Sequence, residues 1–130
     1  MWTELEIILR LLLAGALGAV IGFQRQRAKK PAGLRTHILI SLGAALYTVV
    51  SIYAFSADMA RVAAGVVAGI GFLGAGAIIR DRAGVAGLTT AASIWMVAGI
   101  GLAAGAGMYL IAAVATIIAL AILFIPHPSD

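Results

Sequence analysis

Residues 83–126 read AGVAGLTTAASIWMVAGIGLAAGAGMYLIAAVATIIALAILFIP, 44 consecutive positions without one Asp, Glu, Lys or Arg. As one helix this run would extend roughly 66 Å at 1.5 Å per residue, about twice the hydrocarbon thickness of a bilayer. A soluble domain of 130 residues has no interior able to hide it. The stretch therefore predicts a membrane hairpin that folds back near Ala104–Gly107, and it makes lipid the solvent of the whole chain.

Composition points the same way. Apolar residues make up 63% of the chain and charged residues 11%, with a mean hydropathy of +1.11, against about 25% charged in a soluble domain. The length predicts one all-α bundle, a single domain over 1–130 without a soluble C-terminal domain. The absence of cysteine excludes disulfides, thiolate metal sites and thiol chemistry. A net charge of +4 raises nucleic acid as a partner. The basic residues cluster at predicted membrane edges, however, where they set orientation, so no nucleic-acid partner is expected.

Five spans follow, at about 7–23, 36–55, 62–79, 86–104 and 108–125. The first carries Glu4 and Glu6 ahead of it and its basic flank behind it, the reverse of a cleaved secretory signal. Gln24–Arg35 reads as a basic loop broken by Pro31 and Gly33, Ser56–Arg61 as a tight capped connection, and Arg80–Gly84 as a charged turn. Arg25, Arg27, Lys29, Lys30, Arg35, Arg80 and Arg82 fall on one side of the membrane. Glu4, Glu6, Arg10, Asp58 and Arg61 fall on the other. The positive-inside rule then predicts an outside N-terminus and a cytoplasmic C-terminus with His127 and Asp130, in a multi-pass protein of the cell (inner or plasma) membrane.

Sixteen glycines in a chain of five spans are a packing signal. Gly18/Gly22, Gly65/Gly69 and Gly101/Gly105 are four apart, and Gly69, Gly71, Gly74 and Gly76 crowd the third span. Without a hydrophobic drive between helices in lipid, close backbone approach over small residues carries much of their association. The pattern predicts helix packing at Gly65, Gly69, Gly71, Gly74, Gly76, Gly101 and Gly105. It does not separate a monomer core from a homo-oligomer contact, such as a dimer's, or a groove for a partner membrane protein. Val67–Gly71 recurs as Val97–Gly101, VAGIG in both, which reads as two helices meeting the same packing demand. Gly69–Gly74 also matches G-x-G-x-x-G, but it lies inside an apolar span with no acid between Asp81 and Asp130. Nucleotide binding, which needs a preceding strand and such an acid, is excluded.

Polar candidates are few. Arg35, Thr36 and His37 enter the second span, where Arg35 and His37 could grip an anion, a headgroup or a partner loop; in the plainer reading Arg35 snorkels and His37 caps the entry. Asp81, on the same side, could pair with Arg35. Asp58 is expected to cap the third span and to pair with Arg61 three residues on. Thr89 and Ser93 lie i,i+4 on the fourth span, with Thr90 beside them and Trp95 deeper. Either the hydroxyls bond their own backbone, or they form a stripe facing the interior where the Trp95 indole finds a partner. No charged residue or His lies at the middle of any span. Ion pathways, carboxylate-bound Mg²⁺ and acid–base catalysis therefore all lack their usual groups. No cofactor, metal ligand or catalytic residue is expected.

Three blocks, PAGLRTH at 31–37, GIGFLGAG at 69–76 and GLTTAASIW at 87–95, with Asp58-x-x-Arg61 between the first two, resemble the MgtC/SapB family. The resemblance implies an inner-membrane protein of about five spans, linked to growth in low magnesium and to intracellular survival of pathogens. It implies a non-enzymatic regulator of other membrane proteins, the ATP synthase included, with magnesium transport as the older alternative. Two departures stand out: Gln24-Arg25 replaces the family's usual Glu-Arg, and many members continue into a soluble domain beyond the last span.

Overall fold

A computed structural model describes residues 3–126. The expected cytoplasmic His127 and Asp130 lie outside the described residues, as does the side chain of Asp81 and with it the expected Asp81–Arg35 pair. The chain forms five α-helices: α1 (Glu4–Arg27), α2 (Leu34–Ala54), α3 (Met59–Gly76), α4 (Leu88–Gly105) and α5 (Tyr109–Leu123). With the 3-10 turn Ser56–Asp58 counted into α3, the first four are long and apolar enough to cross a membrane. The chain is an all-α membrane bundle. At 15 residues α5 is shorter, about 22 Å, and the apolar Phe124 and Ile125 continue it toward the interface.

Helix ends follow the charge pattern. Thr3 caps α1 by accepting from the Glu6 amide at 3.2 Å; Glu4 and Glu6 sit in the first turn, Arg25 and Arg27 in the last. Each sign thus opposes the helix dipole. α1 runs about one turn deeper into the basic segment than its apolar run alone predicts, so Arg25 is a helical residue and not a loop charge.

The expected charged turn at Arg80–Gly84 is instead a two-stranded hairpin, β1 (Ile79–Asp81) against β2 (Gly84–Ala86), antiparallel with Ile79 opposite Ala86 and Arg80 opposite Val85. The third and fourth spans are trimmed accordingly, to Gly76 and from Leu88. Gly87 shows why the chain closes so tightly here: its φ is +85°, and a Cβ on it would collide with the Ala77 carbonyl oxygen. Only glycine permits both the left-handed turn and the approach of α4 to the end of α3.

α2 lies between α1 and α4, and both contacts run over glycine. A Cβ on Gly18 would stand 2.7 Å from the His37 carbonyl oxygen, and one on Gly22 2.9 Å from Leu34 Cα. On the other side a Gly101 Cβ would overlap the Ser41 carbonyl, and a Gly105 Cβ would sit 2.7 Å from that of Ala45. The interior is correspondingly small-residue and apolar, built on Ala14, Ala45, Val97, Ile100, Ala104 and Ala112. α5 covers α1 and α4, and α3 leans on α4 and α2.

The expected packing glycines therefore divide. Gly101 and Gly105 are crushed against α2, and Gly74 meets Ala91 of α4 at 3.4 Å. Gly65, Gly69, Gly71 and Gly76 would admit a Cβ with no atom within 4 Å. The reason is the stance of α3, which has Gly74 as its one buried residue and stands off from α2.

Candidate functional site

Polar side chains gather at the two ends of the bundle. At the basic end, α1, α2 and α4 converge on Arg25, His37, Thr90 and Ser93, all buried. Arg25 follows Gly18, Ile21 and Gly22 on one face of α1, the face that meets α2 and α4. Its Nη2 donates to Thr90 Oγ1 at 2.8 Å. The Gly33 carbonyl can only accept, so His37 Nδ1, 2.8 Å away, carries the proton and donates to it. His37 Nε2 then faces Ser93 Oγ at 2.9 Å, and Ser93 Oγ lies 2.8 Å from the Thr90 carbonyl. The single Ser93 proton thus serves two acceptors. The cluster ties three helices together through hydrogen bonds that lipid would not replace.

At the other end Arg10 is 4% exposed. Its Nη1 donates to the Gly105 carbonyl at the end of α4, and its Nη2 to Glu6 at 3.0 Å. The guanidinium carbon stands 5.6 Å from the Tyr109 ring centroid, and the Tyr109 hydroxyl donates to Glu6 at 3.2 Å. Gly107, with φ +86°, leaves room for that guanidinium, since a Cβ would come within 2.9 Å of three of its atoms. Arg10 so supplies a donor and a positive charge to the C-terminal end of a helix.

Between the ends, the buried hydroxyls donate to backbone carbonyls: Ser41 to Ala14 of α1 at 2.7 Å, Thr48 to Ala44 at 2.7 Å and Thr116 to Ala112 at 2.8 Å. No group of three or more His, Asp or Glu side chains able to hold a metal ion occurs among the described residues.

Several expectations change at this point. Arg35 and His37 do not form one site: two residues apart on a helix they face opposite ways, and Arg35 and Thr36 are exposed while His37 is buried. The inward polar pair of α4 is Thr90 with Ser93; Thr89 is only half-buried. Trp95 is 57% exposed on the outside of α4, two residues past Ser93 and hence across the helix from the expected stripe. Asp58 makes no side-chain cap to α3. It pairs instead with Arg61 at 2.9 Å, both groups being well exposed. Arg10 and Arg25 were missed because a charge at the end of an apolar run reads as an anchor. The glycine-led face of α1 was the signal that could have placed Arg25. Gln24, where the family resemblance expects Glu, reaches the Leu123 carbonyl of α5 at 3.5 Å.

Helices closely packed over glycine, buried charges confined to both ends and an apolar interior define an integral membrane protein of the helical-bundle class. The chain belongs to the MgtC family, whose model matches residues 11–129. It is 44% identical to "Putative magnesium transporter YhiD" of Escherichia coli K12, over 94% of this chain and 61% of that protein. It is 49% identical to "Protein MgtC" of Salmonella typhimurium, over 87% of this chain and 49% of that one. "Protein SrpB" of Synechococcus elongatus is 42% identical, over 89% and 72%. The chain thus spans about half to three-fifths of the length of YhiD and MgtC. No solved structure matches it.

Proposed function

We propose that this chain is a non-enzymatic protein of the cell (inner or plasma) membrane, basic end in the cytoplasm, that serves magnesium homeostasis by regulating other membrane proteins. It would do so as a homo-oligomer or through contact with a partner protein, by its lipid-facing helix surfaces and its basic end. The observation that carries the reading is where the polar groups lie. The Arg25–Thr90–Ser93–His37 and Glu6–Arg10–Tyr109 clusters sit at opposite ends. Between them Ala, Val and Ile fill the core, and the hydroxyls are turned onto backbone carbonyls. Pathways for hydrated cations rest on interior acids or water-filled cavities, and Mg²⁺ gives up its water reluctantly. Membership of the MgtC family and the magnesium in YhiD's name support the link to that ion.

The same name favours the second reading, a Mg²⁺ or other cation transporter, with Asp58 at its outer mouth. Purified protein in liposomes loaded with a Mg²⁺-sensitive dye separates the two. The regulatory reading expects Mg²⁺ entry no faster than in empty liposomes. Saturable entry that Asp58→Ala abolishes would replace it with the transporter.

A further inference from the structure

Because α3 stands off from α2, an open groove of about 580 Å³ runs between them. Its walls are apolar side chains apart from the Tyr47 hydroxyl, and Gly43 notches one wall while Gly65 and Gly69 notch the other. On α2 the groove runs from Leu39 to Tyr47 and on α3 from Val62 to Leu73. These are lengths of roughly 12 and 16 Å at 1.5 Å per residue, close to half of a hydrocarbon core about 30 Å thick.

Among the described residues, the groove carries unpaired positive charge at one end: at the other, Arg61 beside Val62 is neutralised by Asp58 at 2.9 Å. One turn before Leu39 and Ile40 on α2 stand Arg35 and Thr36, both exposed. The hairpin that leaves α3 just beyond Leu73 brings the exposed Arg80 and Arg82 to the same membrane face. An apolar slot one leaflet deep under a cluster of cations complements an amphiphile with a phosphate head and a long hydrocarbon tail. A helix is a poorer fit. The bulky Leu39, Tyr47 and Leu73 break the smooth small-residue wall that helix packing in lipid prefers.

The geometry points to one anionic phospholipid bound in the α2/α3 groove, an acyl chain lying past Gly43, Gly65 and Gly69 and the phosphate held at Arg35 and Thr36. The glycines of α3 then admit a lipid chain, which accounts for the open space that a Cβ on Gly65 or Gly69 would find.

The test uses the full chain in mild detergent, offered equal amounts of phosphatidylglycerol and phosphatidylethanolamine, with bound lipids counted by native mass spectrometry. One retained phosphatidylglycerol per chain is expected. Arg35→Gln should cut the preference for it about fivefold, the effect of one basic residue at a membrane surface. Gly69→Leu should cut retention of both lipids alike by filling the slot, and Gly43→Leu should do so from the opposite wall. Neither site has an atom within 4 Å of an added Cβ, so helix content should hold. Equal retention of the two lipids by the natural sequence would overturn the proposal, as would undiminished binding in both leucine variants. The chain has no cysteine of its own. Quantitative disulfide dimers of Gly69→Cys in vesicles would therefore give the groove to a second copy and refute the lipid.

Discussion

Gly99 and Gly101 lie two residues apart on α4, and alanine should act on them in opposite directions. At Gly101 the new Cβ overlaps the Ser41 carbonyl oxygen and lies 2.8 Å from its carbon and 2.9 Å from Ser41 Cα. All three are backbone atoms, so no side chain can swing aside. α2 cannot simply retreat either, because Gly18 and Gly22 already hold it against α1. Forcing a methyl into such a contact costs about 1–3 kcal/mol. If α2 shifts, the Ser41–Ala14 hydrogen bond is weakened as well, roughly 0.6 kcal/mol in a membrane interior. The helix-propensity gain of Gly→Ala, about 1 kcal/mol, offsets part of this. The net expectation for Gly101→Ala is a loss of about 1.6 kcal/mol, roughly fifteenfold in the folded-to-unfolded ratio. At Gly99 an added Cβ meets nothing within 4 Å, so Gly99→Ala keeps the propensity gain and should stabilise by about 0.5–1 kcal/mol. Reversible unfolding in mixed detergent micelles, titrated with dodecyl sulfate and followed by helical circular dichroism, measures both. Two shifts of the same sign and size would refute the claim that α4 is seated on α2 at Gly101.

Thr90→Val removes the hydroxyl that accepts from buried Arg25 and should cost about 1.5–3 kcal/mol in the same assay. Thr89→Val, one residue away and half-buried, should stay within about 0.5 kcal/mol. Arg10→Gln strips the Gly105 carbonyl of its donor and should cost about 1–3 kcal/mol. It should also open the turn between α4 and α5 to protease added from that face, visible as a new cleavage between Ala106 and Tyr109. Ser41→Ala deletes one interhelical hydrogen bond and should cost no more than about 1 kcal/mol.

The membrane class and five helices were readable because uncharged runs of that length have one physical outlet, and the helix ends moved by only a few residues. What the sequence could not convey is rotation about each helix axis. Spacing places Gly65/Gly69 and Gly101/Gly105 in the same motif, yet one pair faces an open groove and the other a backbone. Motif spacing says that a face is smooth without saying what stands opposite it. The same gap explains His37 and Trp95. Each lies in a recognisable block, and only the choice of neighbour decides that the first is buried and the second exposed. The hairpin at Ile79–Ala86 escaped for a simpler reason: three-residue strands leave no periodicity to detect.

The clasp of α2 between two glycine faces bears on how such a protein can vary. Ser41 donates to Ala14, backs onto Gly18 and lies under Gly101. A bulkier residue at any of these four positions has no slack to borrow from one neighbour, because displacement toward α1 is stopped by α1 and displacement toward α4 by α4. Tolerated changes here should arrive in concert across three helices, whereas α3, resting lightly on its neighbours, is free to drift one residue at a time.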